Sequence, residues 1–120
     1  MPKRMQRRIQ VDPESLLPLR PVACAVLAAL ADGPRPGIDV LDAVNTTVPG
    51  RPLLGPGTLY RLMRELRQQQ LIERTGDVTA GDERQVHHAL TTFGRQVLAA
   101  ELSRLRRTIT LAGRAMPVDR

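Results

Sequence analysis

From Val22 to Ala31 the chain runs ten residues without a charge, directly after Pro21 and directly before Asp32-Gly33-Pro34-Arg35-Pro36-Gly37. Proline is well tolerated in the first turn of a helix, and the alanine-rich stretch behind it favours one. Ala23, Val26, Leu27 and Leu30 fall at i, i+3, i+4 and i+7, the helical period. The absence of charge demands burial on nearly every side. At about half the length that spans a bilayer, the run predicts a central core helix and no membrane segment. No helix can continue through the glycines and prolines that follow it.

A chain of 120 residues has room for one core built around that helix, not for two ordinary ones. Residues 1–20 read as a basic, partly flexible N-terminal arm, with Lys3, Arg4, Arg7 and Arg8 at its start and Pro13 and Pro18 discouraging a long helix. They do not read as an export signal, because Asp12, Glu14, Arg20 and three prolines interrupt the path to the apolar run. Cys24 is the single cysteine, so no internal disulfide can brace the fold, as expected of a cytoplasmic protein.

Downstream, a shorter helix is predicted with Ile38, Leu41 and Val44 inward and Asp39 and Asp42 outward, ended by Pro49-Gly50-Arg51-Pro52. Leu53-Leu54 reads as a minimal strand. Gly55-Pro56-Gly57 then opens a third helix whose apolar stripe is Leu59, Leu62, Met63 and Leu66. Thr58, Arg61, Arg64, Glu65, Arg67 and Gln68 lie on or near its other side. Residues 71–75 and 86–90 form two short strands around a polar turn through Gly76, Asp77, Gly81 and Asp82. Thr91 suits the N-cap of a last helix running from about Thr92 to Ala115. In that helix Leu98, Leu102, Leu105, Ile109 and Ala112 are spaced as the seam of a coiled coil, which needs a partner.

The expected fold is therefore mainly α with a small β-hairpin. A winged helix-turn-helix domain occupies residues 21–91, a coiled-coil-like dimerisation helix 92–115 and a short tail 116–120. Eighteen basic against twelve acidic residues give a net charge of +6, which favours a polyanionic partner. Aromatic residues make up 2%, only Tyr60 and Phe93, too few for a base-stacking platform or an aromatic-walled pocket.

On this fold the third helix enters the major groove of double-stranded DNA, and Arg61 and Arg64 contact phosphates or guanine edges. Thr58 and Tyr60 are placed to donate to phosphates, although Tyr60 is equally placed to pack its ring on the core edge. Arg84 either touches a phosphate or pairs with Asp82 or Glu83. Residues 71–91 carry two arginines against four acids, so the wing is no general phosphate clamp. Adjacent His87 and His88 face opposite sides of a strand and cannot share a metal ion. No cofactor is expected. Cys24 reads as a small apolar filler, and no nucleophile, acid-base or phosphate-loop arrangement marks an enzyme.

The stretch Leu54-Gly55-Pro56-Gly57-Thr58-Leu59-Tyr60-Arg61-Leu62, followed by Leu71-Ile72-Glu73, Asp82-Glu83-Arg84, Leu90-Thr91 and Gly94-Arg95, closely resembles the PadR family of bacterial transcriptional regulators. The resemblance covers roughly residues 15–113. It implies a homodimeric winged helix on near-palindromic operators, dimerised through the last helix and often released by a small-molecule effector, and the expected role is that of a repressor. Pro36-Gly37-Ile38 stands where the family commonly has His-Gly-Tyr, and His87-His88 where it has a tyrosine pair. Gln70 replaces a glycine, and a glutamine in a left-handed cap costs roughly 1 kcal/mol. The alternative use of such a fold is a protein-interaction module, but the density of Arg61, Arg64 and Arg67 favours DNA.

Overall fold

The computed structural model describes residues 11–47, 54–76, 82 and 84–116. Pro21–Ala29 forms helix α1, with Pro21 in its first turn, and Val26, Leu27 and the following Leu30 are fully buried. Each contributes about 1.5–3 kcal/mol through the apolar surface it removes from water. Among the described residues the other α-helices all pack on α1, as its lack of charge requires.

The chain stops being helical after α1 as predicted, but the breaker segment has a second task. Arg35–Pro36 is strand β1, paired antiparallel with His88 and His87. Leu54 is not in a strand. Its N–H donates to Asn45 Oδ1 at 2.7 Å and its carbonyl accepts from Asn45 Nδ2 at 3.1 Å, so a side chain supplies what a neighbouring strand would have. Leu53 and the helix-ending segment 49–52 lie outside the described residues. Proline is acceptable in β1 because an edge strand has one side free of ladder bonds.

Helix α2, Gly37–Thr47, is rotated from its expected face. Gly37, Val40 and Val44 are buried and Leu41 half-buried, whereas Ile38 is 45% exposed. The wing sets this rotation. Val86 and Arg84 carbonyls accept from the N–H groups of Gly37 and Ile38 at 3.2 and 2.9 Å, fixing the first turn of α2 against the sheet.

Helix α3, Pro56–Gln68, buries the predicted stripe of Leu59, Leu62, Met63 and Leu66. It ends at Gln70, which takes the left-handed conformation with φ of 63°. The turn is closed by Leu71 N–H donating to Leu66 carbonyl at 2.9 Å, the bond pattern of a Schellman cap. Strands β2 (Ile72–Thr75) and β3 (His87–Leu90) follow, with Ile72 opposite Leu90 and Thr75 opposite His87. The expected hairpin is thus the larger part of a three-stranded sheet in the order β1-β3-β2. Asp77, Gly81 and Glu83 of its turn lie outside the described residues.

Thr91 caps helix α4, Thr92–Gly113, by accepting from Gly94 N–H at 2.9 Å. Gly94 lies against β2's entry: a Cβ placed there would overlap the Leu71 carbonyl oxygen and approach its carbon to 2.8 Å. Arg95 reaches back to the Ala31 carbonyl at 3.3 Å, tying α4 to the end of α1.

The second half of the expected arm is docked. Asp12 caps a single 3-10 turn, Pro13–Leu16, which packs on α4, and Leu16, Leu17 and Leu19 join the core edge. The leucines explain this, since leaving them in water would forfeit their burial energy. The basic residues of the arm, Lys3 to Arg8, and tail residues 117–120 lie outside the described residues.

Candidate nucleic-acid interface

The 3.6-residue period of α3 turns Thr58, Arg61, Arg64, Glu65 and Gln68 to solvent once the leucine stripe is buried. Among the described residues Arg61 and Arg64 have no hydrogen-bond or ion-pair partner, so two guanidinium groups stand ready on this face. No side chain caps the start of α3, and Pro56 fixes its first turn without an N–H of its own. The open N–H groups that follow can receive a phosphate oxygen. Gln68, one turn after Arg64 at the end of the helix, adds an exposed polar group to the same face.

Tyr60 departs from this face. It is half-buried, packed on the core, and its hydroxyl is buried. The ring lies on the core edge, and the buried hydroxyl is not on the solvent face that Arg61 and Arg64 share. Arg67 is also half-buried, with Nη1 3.1 Å from Nε2 of His88. Because a guanidinium only donates, that ring nitrogen accepts. The contact ties α3 to β3. His88 is fully buried and His87 exposed, on opposite faces as predicted.

On the wing, Arg84 takes the ion-pair option: Nη2 lies 3.6 Å from Asp82 Oδ2, and Asp82 Oδ1 also accepts from the Arg84 N–H at 3.0 Å. Arg84 is exposed nevertheless, and its pair is open to solvent. An exposed pair of this kind is worth about 0–1 kcal/mol and exchanges readily for a phosphate.

The seam of α4 divides. Leu98 is buried in the core of its own chain and Leu105 is half-buried, whereas Leu102 is 40% and Ile109 54% exposed, and Ala112 is exposed.

One buried group was not anticipated from the sequence. Glu101, 2% exposed, accepts from Arg104 Nε at 2.7 Å and Nη2 at 3.0 Å, and from Leu19 N–H at 3.3 Å. Hydrogen bonds from Arg104 hold its carboxyl below the ordinary glutamate value, against the opposing effect of burial. Burial, then the Glu101 charge, pushes the nearby Cys24 thiol up, away from the reactive thiolate. Among the described residues no group of three or more His, Cys, Asp and Glu side chains is arranged to hold a metal ion, and no helix is long and apolar enough to cross a membrane.

The model of the transcriptional regulator PadR-like family matches residues 26–100. This chain belongs to the PadR-like family. The matched span of the PadR-like chain covers the second half of α1, then α2, α3, the strands and the first part of α4. Solved structures agree on a winged helix-turn-helix. A PadR-like transcriptional regulator from Bacillus cereus superposes with a TM-score of 0.63 at 16% identity, over 82% of this chain and 94% of that one. The transcriptional regulator BldR from Sulfolobus solfataricus gives 0.65 at 20% identity, over 87% and 68%. A MarR family regulator from Silicibacter pomeroyi gives 0.61 at 19%, over 86% of this chain and 66% of its own length. No curated protein sequence matches the chain.

Proposed function

We propose that this PadR-like protein is a cytoplasmic transcriptional repressor that binds near-palindromic operators in double-stranded DNA as a homodimer. The observation that carries this reading is the pair Arg61 and Arg64 on the solvent face of α3, which have no partner among the described residues. Arginine left without a carboxylate on a helix that fits the major groove is matched in shape and charge to guanine edges and phosphates. Thr58 and the open start of α3 add phosphate contacts at one end, and Arg84 adds one on the wing.

The dimer is supported by Leu102 and Ile109, which leave apolar surface in water unless a second α4 covers them. Two copies related by a twofold axis present two recognition helices, which read an inverted repeat. A dimer seated on a promoter blocks it sterically. The outward face of α3 carries no large apolar residue, so it does not favour the protein-interaction alternative.

Selection of bound duplexes from a randomised library with the purified protein tests the reading. The expected result is an inverted repeat whose half-sites are separated by about one or two helical turns. Recovery of sequences with no shared motif, or of a single half-site, would overturn it.

A further inference from the structure

A groove of about 450 Å³ runs between the start of α1 and the flank of α3. It lies beside the face assigned to DNA. Its volume falls in the range of small-molecule sites. Val22, Leu54 and Leu62 supply apolar wall, and Arg20, Glu65 and Arg61 supply charge. The three charges are not equivalent. Arg20 and Glu65 offset each other across 3.3 Å, whereas Arg61 has no partner among the described residues. The groove therefore offers an apolar trough with one uncompensated guanidinium at its edge.

We infer that this groove binds an amphipathic monocarboxylate with an aliphatic body, whose carboxylate is held by Arg61. A planar carboxylate matches the guanidinium fork with two parallel hydrogen bonds, which gives the head group its direction. No aromatic side chain lines the groove, so nothing in it stacks on a flat ring, and a flexible chain fills the trough better. A cationic amphiphile meets an unpaired arginine, and a neutral one leaves that arginine unsatisfied. The consequence for DNA rests on the operator-binding reading above: a ligand that occupies Arg61 removes it from the reading face, so ligand and DNA exclude each other. The occupant is then a release signal that acts on α3 itself, by competing for Arg61.

The test begins without DNA. Octanoate, octanol and octylamine are titrated in turn into isotopically labelled full-length protein while backbone amide resonances are followed. Octanoate should move the amides of Val22, Leu54, Thr58 and Arg61 and bind at least about tenfold more tightly than either analogue. Arg61→Ala should lose most of that affinity and Arg64→Ala, which does not line the groove, should keep it. Thr58→Trp, which fills the trough from the exposed side, should also abolish binding. Shifts scattered elsewhere, equal binding of octanol, or full binding by Arg61→Ala would each overturn the site. A second arm adds a fluorescent duplex taken from the library selection. Octanoate should displace it from wild type in proportion to groove occupancy, and displacement without occupancy, or occupancy without displacement, would overturn the competition. A protein that takes octanoate in the groove but binds no duplex at all upholds the site and overturns the DNA reading instead.

Discussion

Arg20, at the start of α1, holds Glu65 Oε1 at 3.3 Å across the groove, although Arg61 sits one turn away from Glu65 on the same helix. An i, i+4 arginine and glutamate ordinarily pair on a helix surface. Here the acid is engaged from another element, and among the described residues Arg61 has no partner. Both side chains of the pair are largely exposed, so its contribution to stability is small, and its consequence is positional.

It follows that Arg20→Ala should weaken DNA binding by a few fold, about 0.5–1 kcal/mol, because the released Glu65 turns to Arg61 and faces the phosphates. Adding Glu65→Ala should recover the loss. Anisotropy of a labelled operator with the two single variants and the double variant measures this. If the double variant binds no better than Arg20→Ala alone, Arg20 acts by touching DNA and not by managing Glu65.

Reading and holding should separate along α3. Arg61 is nearer the start of the helix, where side chains usually meet base edges, and Arg64 is one turn on. Arg61→Ala should lower discrimination among operator variants by roughly 1–3 kcal/mol at one base pair. Arg64→Ala should weaken all duplexes alike and flatten the slope of log affinity against log salt by about 0.9. Unchanged binding by both variants over a salt series would remove α3 from the interface.

The exposed part of the α4 seam allows a clean test of assembly. Leu102→Asp with Ile109→Asp alters two residues that the single chain leaves exposed, so the monomer should fold with unchanged helix content. Sedimentation should report monomers, and operator affinity should fall by at least about a hundredfold, or 2.7 kcal/mol, as the second half-site contact is lost. A wild-type protein that already sediments as a folded monomer at micromolar concentration would contradict the proposed dimer.

What the sequence reveals and what it conceals divide by range. The stripe of α3 and the Thr91 cap are local features, each decided by a few neighbouring residues and visible in composition and spacing, whereas the left-handed Gln70 is what the family resemblance implies, since Gln70 stands where the family has a glycine. Arg61 and Arg64 could be placed on the outer face for the same reason. By contrast β1 exists only because His87 and His88 come back to pair with Arg35 and Pro36, and the rotation of α2 follows from the carbonyls of Arg84 and Val86. Arg20 belongs to the site through a contact spanning 45 residues, which no periodicity reports. Glu101 reads as one more helix charge until the docked leucines of the N-terminal segment cover it. Leu16, Leu17 and Leu19 were the available clue, since three leucines are unusual in a free basic arm.

The turn from α3 into β2, with the start of α4 packed on it, is a stability test with two opposite signs. Gln70→Gly should stabilise by about 1 kcal/mol at most, since glycine bears no penalty at φ of 63° although it also frees the unfolded chain. Gly94→Ala should destabilise by about 1–3 kcal/mol or more, because its Cβ has no space beside the Leu71 backbone. Chemical denaturation of both variants reads the two signs directly. A neutral Gly94→Ala would mean that α4 does not approach β2 this closely.

Glu101 gives the fold an acid-sensitive latch. Its carboxyl is held below the ordinary value chiefly by hydrogen bonds from Arg104, so the folded chain binds fewer protons than the unfolded chain through the acid range. Stability from this group is therefore complete above the unfolded glutamate pKa of about 4.3 and is lost as pH falls through the lower, folded value. Glu101→Gln retains an acceptor for Leu19 N–H but not the charge that engages Arg104. At neutral pH the variant should be less stable by roughly 1–3 kcal/mol, the usual worth of hydrogen bonds to a charged group. That gap should narrow as wild-type Glu101 protonates, and protection of the Leu19 amide, taken relative to its intrinsic exchange rate, should fall with pH in wild type and stay level in the variant. Denaturant midpoints measured from neutral pH into the acid range decide the matter: a gap that stays constant would show that Glu101 does not hold the N-terminal segment as a carboxylate.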